Sequence, residues 1–416
     1  MKRKYAVSLF AAFVFSLTSV FAWADPPTQF PRHATFTTLV TLPRAIEGLT
    51  GDGVRNLYTG GSGTAPCPIW QINLHNQSVK VVGNVPAAAT PSGTCGFSGI
   101  TFDASGNLYV ADGGAGRIYT FKPNADSPPD ATVFASGVPG TNGLAFDHDG
   151  NLWTGDGTTG QGRVWKIAPQ GGICEAAINP YQGCEEVFRI QPMRNGTALG
   201  GQISTVPTAN QPTQGVGRSA NTFPHTAAGG NTQDLVANGL AFNKDGDLFN
   251  IDTARGALWK IEFNRRGEVK SPTGCDSTFT PNTLCLSNVF VAHPILVGGD
   301  GIALDLEGNI WVDANERNAV ALVTEDRRVF EVFRNPVNSA GLRDSADTAR
   351  GNRHILEFPT SPFLTGKVFC TAQSDGNRRD NFPNTGGQVS PAGPKIGKIS
   401  CMDQELTVGG LPLPVR

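Results

Sequence analysis

The segment ANGLAFNKDGDLFNIDT, residues Ala237–Thr253, joins two apolar runs through a short polar turn. The turn holds Asp245 and Gly246, and such Asp-Gly pairs provide the positive φ that a tight β-hairpin needs. Apolar and polar residues alternate on both sides of the turn, as they do in half-buried strands. The segment therefore predicts an antiparallel hairpin, but it leaves Asn238, a polar amide that opens an apolar strand, without an explanation.

Four more segments repeat this pattern along the chain. They are EGLTGDGVRNLYTGG (Glu47–Gly61), SGITFDASGNLYVAD (Ser98–Asp112), NGLAFDHDGNLWTGD (Asn142–Asp156) and DGIALDLEGNIWVDA (Asp300–Ala314). Steps of 51, 44, 96 and 62 residues separate the five copies. Each copy is too small to fold alone. The first two steps match the repeat of about 40–50 residues that is typical of β-propeller blades, and the last step is somewhat longer.

A sixth unit fits at His354–Gln373, although it lacks the repeated glycine. The strand-like segment Ala34–Leu42 would complete this last blade beside Lys395–Met402, which closes the ring and removes exposed sheet edges. We therefore predict an all-β fold: one six-bladed β-propeller over residues 25–416, with four-stranded antiparallel blades around a central channel.

The long step between the third and fourth copies predicts an insertion at 169–234. This segment is rich in Gly, Thr, Gln and Asn and shows no sustained periodicity. Loops of such length are either functional lids or irregular surface segments, and the sequence leaves both interpretations open.

The first 24 residues have the pattern of a signal peptide. A basic start at Met1–Lys4 precedes the apolar run Tyr5–Phe21, and Ala22–Ala24 reads AWA, a small-x-small cleavage site. The alternative is an uncleaved membrane anchor. We expect a secreted or periplasmic protein. The net charge of −2, without any run of like charges, gives no indication of nucleic-acid binding.

Eight cysteines fall into four neighbouring pairs, and export to an oxidising compartment favours disulfides. Eight cysteines allow about 105 connectivities. We predict the bridges between neighbours, each with a structural role: Cys67–Cys95, Cys174–Cys184, Cys275–Cys285 and Cys370–Cys401.

The residues that open the five repeats form a register of their own: Glu47, Ser98, Asn142, Asn238 and Asp300. In a propeller, equivalent positions converge on the central axis, so four of these side chains should bring two carboxylates and two amides together. Two facing carboxylates are costly unless a cation compensates them. All-oxygen ligation suits Ca²⁺, with Mg²⁺ or Mn²⁺ as alternatives. We predict Glu47, Asn142, Asn238 and Asp300 as metal ligands.

A second acidic set stands at the ends of the following strands. It comprises Asp112, Asp156, Asp252 and Asp313. These residues recur with the repeat, so we interpret all four as structural groups that bond turn backbone within their blades.

The segments EGLTGDG (Glu47–Gly53), NGLAF (Asn142–Phe146 and Asn238–Phe242) and DGIALDLEGNIWV (Asp300–Val312) resemble the gluconolactonase/regucalcin family and its paraoxonase and strictosidine-synthase relatives. The resemblance implies a six-bladed propeller, with a metal at the channel mouth in lactonase members. Glu47, Asn142, Asn238 and Asp300 match the family's ligands in type and order.

The function that follows is hydrolysis of lactones or related esters, small-molecule substrates, with Asp300 or a bound water handling proton transfer. One alternative is a non-catalytic NHL-like binding module with a structural metal. Another is a lyase or condensing enzyme of the strictosidine-synthase type. Neither the substrate nor the oligomeric state follows from the sequence.

Overall fold

The repeated turn sets the geometry of each hairpin. In the third repeat, the Asp147 carboxylate accepts hydrogen bonds from the backbone N–H groups of Asp149 (3.0 Å) and Asn151 (2.8 Å), and Gly150 has a φ of +81°. Only glycine adopts this backbone region without strain. The same side-chain capping recurs at the turns that begin with Asp103 and Asp305, which confirms the predicted hairpins.

A computed structural model of the protein describes residues 34–157, 161–174, 183–191, 237–253, 255–335, 356–374 and 396–414. The predicted signal peptide lies outside these residues. Within them the chain forms six four-stranded antiparallel sheets, the blades of a propeller. The strands of blade 1 are Thr50–Gly51, Asn56–Gly60, Cys67–Asn73 and Val79–Val85. Those of blade 2 are Phe97–Phe102, Leu108–Asp112, Arg117–Phe121 and Thr132–Ser136. Those of blade 3 are Thr141–Phe146, Leu152–Asp156, Arg163–Ile167 and Cys184–Arg189.

The second half of the ring has the same organisation. The strands of blade 4 are Leu240–Phe242, Leu248–Asp252, Ala257–Ile261 and Val289–Ala292. Those of blade 5 are Gly299–Leu304, Ile310–Ala314, Ala319–Val323 and Val329–Arg334. Those of blade 6 are Pro359–Thr365, Val368–Gln373, Gly397–Met402 and, from the other end of the chain, Phe36–Leu42.

Blade 6 closes the ring as predicted. Its outer strand pairs antiparallel with Gly397–Met402, with Phe36 opposite Met402 and Leu42 opposite Gly397. Because the first and last described strands share one sheet, the ring has no open edge between blades 6 and 1.

Short elements complete the described part of the chain. Gly172–Ile173 adds a parallel strand to blade 2, and Gly63–Thr64 pairs with Thr94–Cys95. Three-residue 3-10 helices occur at Ala87–Ala89, Leu286–Asn288, Pro294–Leu296 and Asn315–Arg317. No helix among the described residues is long and apolar enough to cross a membrane.

The apolar faces of neighbouring blades pack against each other around large aromatic side chains. Trp153 of blade 3, for example, contacts Phe242 of blade 4 edge-on at 5.7 Å between ring centroids. Four tryptophans are almost completely buried: Trp153, Trp165, Trp259 and Trp311. Each such side chain removes a large apolar area from water, so the interfaces between blades supply much of the folding free energy.

All four predicted disulfides are present: Cys67–Cys95, Cys174–Cys184, Cys275–Cys285 and Cys370–Cys401. Three of them tie loops or strand ends, as expected. Cys370 and Cys401 instead stand opposite each other on adjacent strands of blade 6.

The predicted start of the insertion 169–234 is too early, because part of this range belongs to blade 3. Cys184–Arg189, inside that range, is the outer strand of blade 3 and pairs with Arg163–Ile167. This strand was not predicted because its apolar and polar residues alternate poorly and it follows a turn-rich segment. Residues 192–234 lie outside the described part of the chain.

Candidate metal centre

The first strands of adjacent blades touch backbone to backbone, and a glycine makes each contact possible. A Cβ atom on Gly48 would lie 2.1 Å from the carbonyl oxygen of Ser98, and one on Gly239 would lie 2.5 Å from that of Asp300. Real Cβ atoms do not approach backbone so closely, so only glycine fits. The repeated glycine therefore exists to bring successive first strands together around the axis.

These contacts trace the complete ring. The glycines after Ser98, Asn142 and Asp300 contact the carbonyl oxygens of Asn142, Asn238 and Thr360, with Cβ distances of 2.3, 2.9 and 2.4 Å. Thr360 then donates a hydrogen bond from Oγ1 to the carbonyl oxygen of Glu47 (2.7 Å). We call this the anchor ring; its members are Glu47, Ser98, Asn142, Asn238, Asp300 and Thr360. The structure thus brings the four sequence-predicted ligands to equivalent positions around one axis.

Asp300 is a buried carboxylate with little compensation. Only 5 % of it is exposed. Burial first, and then the charge of Glu47, raise the pKa of Asp300 well above its ordinary value, while the amides of Asn315 and Asn238 partly oppose the shift. Asn315 Nδ2 donates to Asp300 Oδ2 at 2.9 Å. The charge of Glu47 therefore opposes the ionisation of Asp300, as expected for two carboxylates on one ring.

Asn238, the polar residue that precedes the first strand of blade 4, makes hydrogen bonds through every polar atom but one. Its Nδ2 group donates to Thr253 Oγ1 (2.9 Å), and its backbone N–H donates to Ile251 (3.1 Å). Asn250 donates to its carbonyl oxygen from below (3.4 Å). The side-chain oxygen Oδ1 is buried and has no hydrogen-bond partner. Such an atom is costly unless a ligand completes it.

Asn142 and Ser98, two of the three other amide or hydroxyl members of the ring, differ from Asn238. Asn142 is 7 % exposed and packs against Gly157, on which a Cβ atom would lie 2.9 Å from Asn142 Nδ2. Ser98 donates from its hydroxyl to the carbonyl oxygen of Thr141 (2.8 Å) and so satisfies its donor within the protein. The hydroxyl groups of Ser98 and Thr360 are thus both used within the protein, each as a donor to a backbone carbonyl oxygen.

This donor set fits a hard cation. Two neighbouring carboxylates that oppose each other's ionisation, together with an unpartnered amide oxygen, would all be stabilised by a divalent ion. Within the described ranges, no three His, Cys, Asp or Glu side chains cluster closely enough to hold a metal. A metal at the anchor ring therefore depends on the amides as well as on Glu47 and Asp300.

The channel below the ring is narrow and apolar. It holds a cavity of about 90 Å³ lined by the first strands of the blades, including Leu144, Leu240 and Ile302. At the other end, the C-terminal segment crosses the channel: Leu411 donates its backbone N–H to Leu304 (2.9 Å), and Leu413 also lines the cavity. Polar groups are thus concentrated at the ring.

Residues 224–341 match the family model described as the SMP-30/gluconolactonase/LRE-like region. The resemblance to the gluconolactonase/regucalcin family is confirmed. Among curated proteins, no sequence matches this one.

Several solved structures are similar to this propeller. A luciferin-regenerating enzyme is 13 % identical, with a TM-score of 0.51 and coverage of 91 % of this chain and 97 % of that one. The calcium-binding protein regucalcin from Agrobacterium tumefaciens str. C58 is 14 % identical, with a TM-score of 0.49 and coverage of 91 % of this chain and 95 % of that one. A gluconolactonase from Xanthomonas campestris is 14 % identical, with a TM-score of 0.46 and coverage of 89 % of this chain and 91 % of that one.

The predicted strand-end carboxylates of this propeller are structural at three of the four positions. Asp112 accepts backbone N–H bonds from Gly96 (3.1 Å) and Ala115 (3.0 Å). Asp156 and Asp252 accept backbone and guanidinium hydrogen bonds from Arg163 and Arg255. We call Asp112, Asp156 and Asp252 the strand-end carboxylates.

The prediction for Asp313 was wrong. Asp112 stands opposite Phe97, and the equivalent partner of Gly299 in blade 5 is Ala314, so Asp313 is one residue out of register. A shift of one residue turns a strand side chain to the opposite face. Asp313 is fully buried, accepts from Thr371 Oγ1 of blade 6 (2.5 Å), and has no partner at Oδ1. Burial raises its pKa well above the ordinary value.

Three residues of the site escaped sequence analysis. Thr360 belongs to the anchor ring, but its blade lacks the glycine that marks the others. Thr253 and Asn315 act one residue beyond the second strands of blades 4 and 5, in turns whose sequences do not repeat. The polar residue after each strand end was the available signal.

Proposed function

We propose that this protein is an exported, Ca²⁺-dependent hydrolase of lactones or related esters. The observation that carries the proposal is the anchor ring, in which Glu47 and Asp300 are neighbouring carboxylates and Asn238 Oδ1 lacks a partner. The match of 224–341 to the SMP-30/gluconolactonase/LRE-like model supports the lactonase class. The four disulfides support export to an oxidising compartment.

Glu47, Asn142, Asn238 and Asp300 would hold the ion. When bound, Ca²⁺ would polarise the carbonyl oxygen of the ester and stabilise the negative charge that develops on it. Mg²⁺ or Mn²⁺ could supply the same chemistry, although the larger and more adaptable coordination of Ca²⁺ suits a ring that mixes amides and carboxylates.

Asp300 is the residue we assign to proton transfer. Its Oδ2 atom is fixed by Asn315, which orients the carboxylate. Burial and the charge of Glu47 raise the pKa of Asp300, and a carboxylate with a raised pKa accepts a proton from an attacking water more readily than an ordinary one. Its burial also excludes bulk water from the reacting atoms.

The substrate would reach the ring from outside the channel. The cavity of about 90 Å³ is far smaller than the roughly 300–1,000 Å³ of typical ligand pockets. Only the carbonyl end of a substrate would therefore meet the ring, and the rest of the molecule would remain above it. Both sugar and aliphatic lactones satisfy this condition.

The test is a hydrolysis assay over a panel of lactones and aryl esters, with Ca²⁺ and with a chelator. We expect calcium-dependent hydrolysis by wild type, loss of activity in Asp300→Ala, and retained activity in Ser98→Ala, the matched ring control. Absence of hydrolysis across the panel in calcium-loaded wild type would contradict the proposed hydrolase activity. If that inactive protein still binds Ca²⁺ at the ring, the NHL-like binding module with a structural metal is correct instead.

A further inference from the structure

A second cavity lies at the outer edge of the propeller, between blades 4 and 5. Its volume is about 290 Å³, larger than that of the channel. It is bounded by the end of the third strand of blade 4, by the start of that blade's outer strand, and by a turn of blade 5. Lys260, Lys270 and Arg327 line it, together with Glu262 and Ser271. The proposed hydrolase activity does not use this cavity.

Positive charge exceeds negative charge at this cavity. Lys260 and Lys270 share the carboxylate of Glu262, at 3.9 and 3.3 Å. Lys260 also pairs with Asp247 at 2.8 Å. Among the described residues, no carboxylate lies within ion-pair distance of Arg327. Three cations therefore face two carboxylates, and the excess charge belongs to the arginine.

Two of the cations are positioned on a pair of aromatic rings. The guanidinium of Arg327 lies 5.0 Å from the ring centroid of Phe290, and Lys260 Nζ lies 6.0 Å from that of Phe249. The two rings are themselves nearly perpendicular, at 82° and 5.3 Å. Cations held on aromatic faces lose less conformational freedom when they bind a ligand than cations on free side chains.

Arg327 also has a strained backbone conformation. Arg327 has a φ of +67°, a region that favours glycine, in a turn closed by the hydrogen bonds Arg327 N–H to Thr324 (2.8 Å) and Thr324 N–H to Arg328 (2.9 Å). Strained positions of this kind are found disproportionately at functional sites. Here an arginine lines the cavity at a position where glycine would adopt the same backbone conformation with less strain.

A hydroxyl group adds a neutral donor. Ser271 Oγ accepts the backbone N–H of Glu262 at 2.8 Å, so its own hydrogen can be donated elsewhere. We propose that this cavity binds a small oxyanion, a phosphate or a hydroxylated carboxylate, with Arg327 as the main anchor and Lys260, Lys270 and Ser271 as further donors.

The experiment is a titration of the full mature chain with inorganic phosphate and with gluconate, in calcium-free buffer at constant ionic strength, followed by thermal unfolding and calorimetry. We expect saturable binding to wild type and a loss of about tenfold or more in Arg327→Gly, since charged hydrogen bonds are removed. Arg327→Gly should fold as well as wild type because glycine tolerates the positive φ.

The neighbouring arginine provides the matched control. Arg328 lies in the same turn but is already paired with Asp326 at 2.8 Å, so Arg328→Gln should bind both anions as wild type does. Tighter binding of gluconate would identify a hydroxylated carboxylate as the ligand, and tighter binding of phosphate a phosphate. Failure of both anions to saturate wild type, or equal affinities of wild type and Arg327→Gly, would overturn the proposal without affecting the anchor ring.

Discussion

Asp112 of blade 2 and Asp300 of blade 5 are both buried aspartates of the repeated segment, but their side chains have different hydrogen-bond partners and charged neighbours. Asp112, at the end of a second strand, accepts two backbone N–H groups and lies near the Tyr119 hydroxyl. Asp300, at the start of a first strand, has Glu47 as a charged neighbour and amide groups as its partners. The fold completes the hydrogen bonding of Asp112 and leaves Asp300 beside an unfavourable charge. Compensation, and not burial, therefore separates the proposed metal ligand from the structural carboxylate.

The largest expected effect tests the ring on which the comparison depends. Gly239→Ala would place a Cβ atom 2.5 Å from the carbonyl oxygen of Asp300, against backbone that cannot move freely. We expect destabilisation of about 3 kcal/mol, at the upper end of overpacking, measured by urea unfolding with the disulfides intact. Gly96→Ala, whose Cβ contacts begin at 3.6 Å, is the control and should change stability little. Equal effects of the two variants would mean that the first strands are not in contact.

The strand-end side of the comparison is tested by Asp112→Ala. This variant leaves the N–H groups of Gly96 and Ala115 without their acceptor, so we expect a loss of about 2 kcal/mol in the free energy of unfolding. The calcium affinity of the folded protein should remain at the wild-type value. A matching loss of calcium affinity would show that the two sets of aspartates are not functionally separate.

The Thr253→Val substitution tests the contribution of the anchor ring to calcium binding. The substitution preserves shape but removes the oxygen that accepts from Asn238 Nδ2, so the amide is no longer oriented. We expect calcium affinity to fall by about 10- to 100-fold, as for other outer partners of metal ligands. Titration calorimetry measures it. Thr253→Ser keeps the acceptor and should bind calcium normally; similar losses in both variants would assign Thr253 a packing role only.

The smallest effect concerns Asp313, the aspartate that belongs to neither set. Its folded-state pKa is raised by burial, so it remains protonated on folding at a pH where the unfolded chain ionises. Wild type should therefore lose stability as the pH rises above the unfolded pKa, by up to about 1.4 kcal/mol per pH unit from this group. Asp313→Asn should reduce that slope, because an amide does not titrate, and should be about 1 kcal/mol more stable than wild type above the unfolded pKa. Parallel pH profiles of the two proteins would contradict a neutral Asp313.

Sequence analysis predicted the fold well because the repeat carries its own geometry. The Asp-x-x-Gly-Asn turns fix the hairpins, and the glycine after each ring residue fixes how blades meet, so Glu47, Asn142, Asn238 and Asp300 could be placed on one axis. The closing of blade 6 by Ala34–Leu42 followed from counting units.

The features that were missed or misplaced lack a repeated local pattern. Asp313 follows the pattern one residue early, and only the pairing of Gly299 with Ala314 reveals the slip. Thr253 and Asn315 contact Asn238 and Asp300 across 15 residues each, through turns that differ between blades. The outer strand Cys184–Arg189 lies beyond a segment without periodicity, so its pairing with blade 3 could not be read from the sequence.

A crystal structure of the mature protein grown with Ca²⁺ would test the proposed calcium site directly. We predict one ion at the anchor ring, with oxygen atoms of Glu47, Asn142, Asn238 and Asp300 at about 2.3–2.6 Å from it. The side-chain oxygen of Asn238, unpartnered in the protein alone, should be among these ligands. A ring without an ion at saturating Ca²⁺, or an ion bound elsewhere in the protein, would contradict a calcium site formed by these four residues.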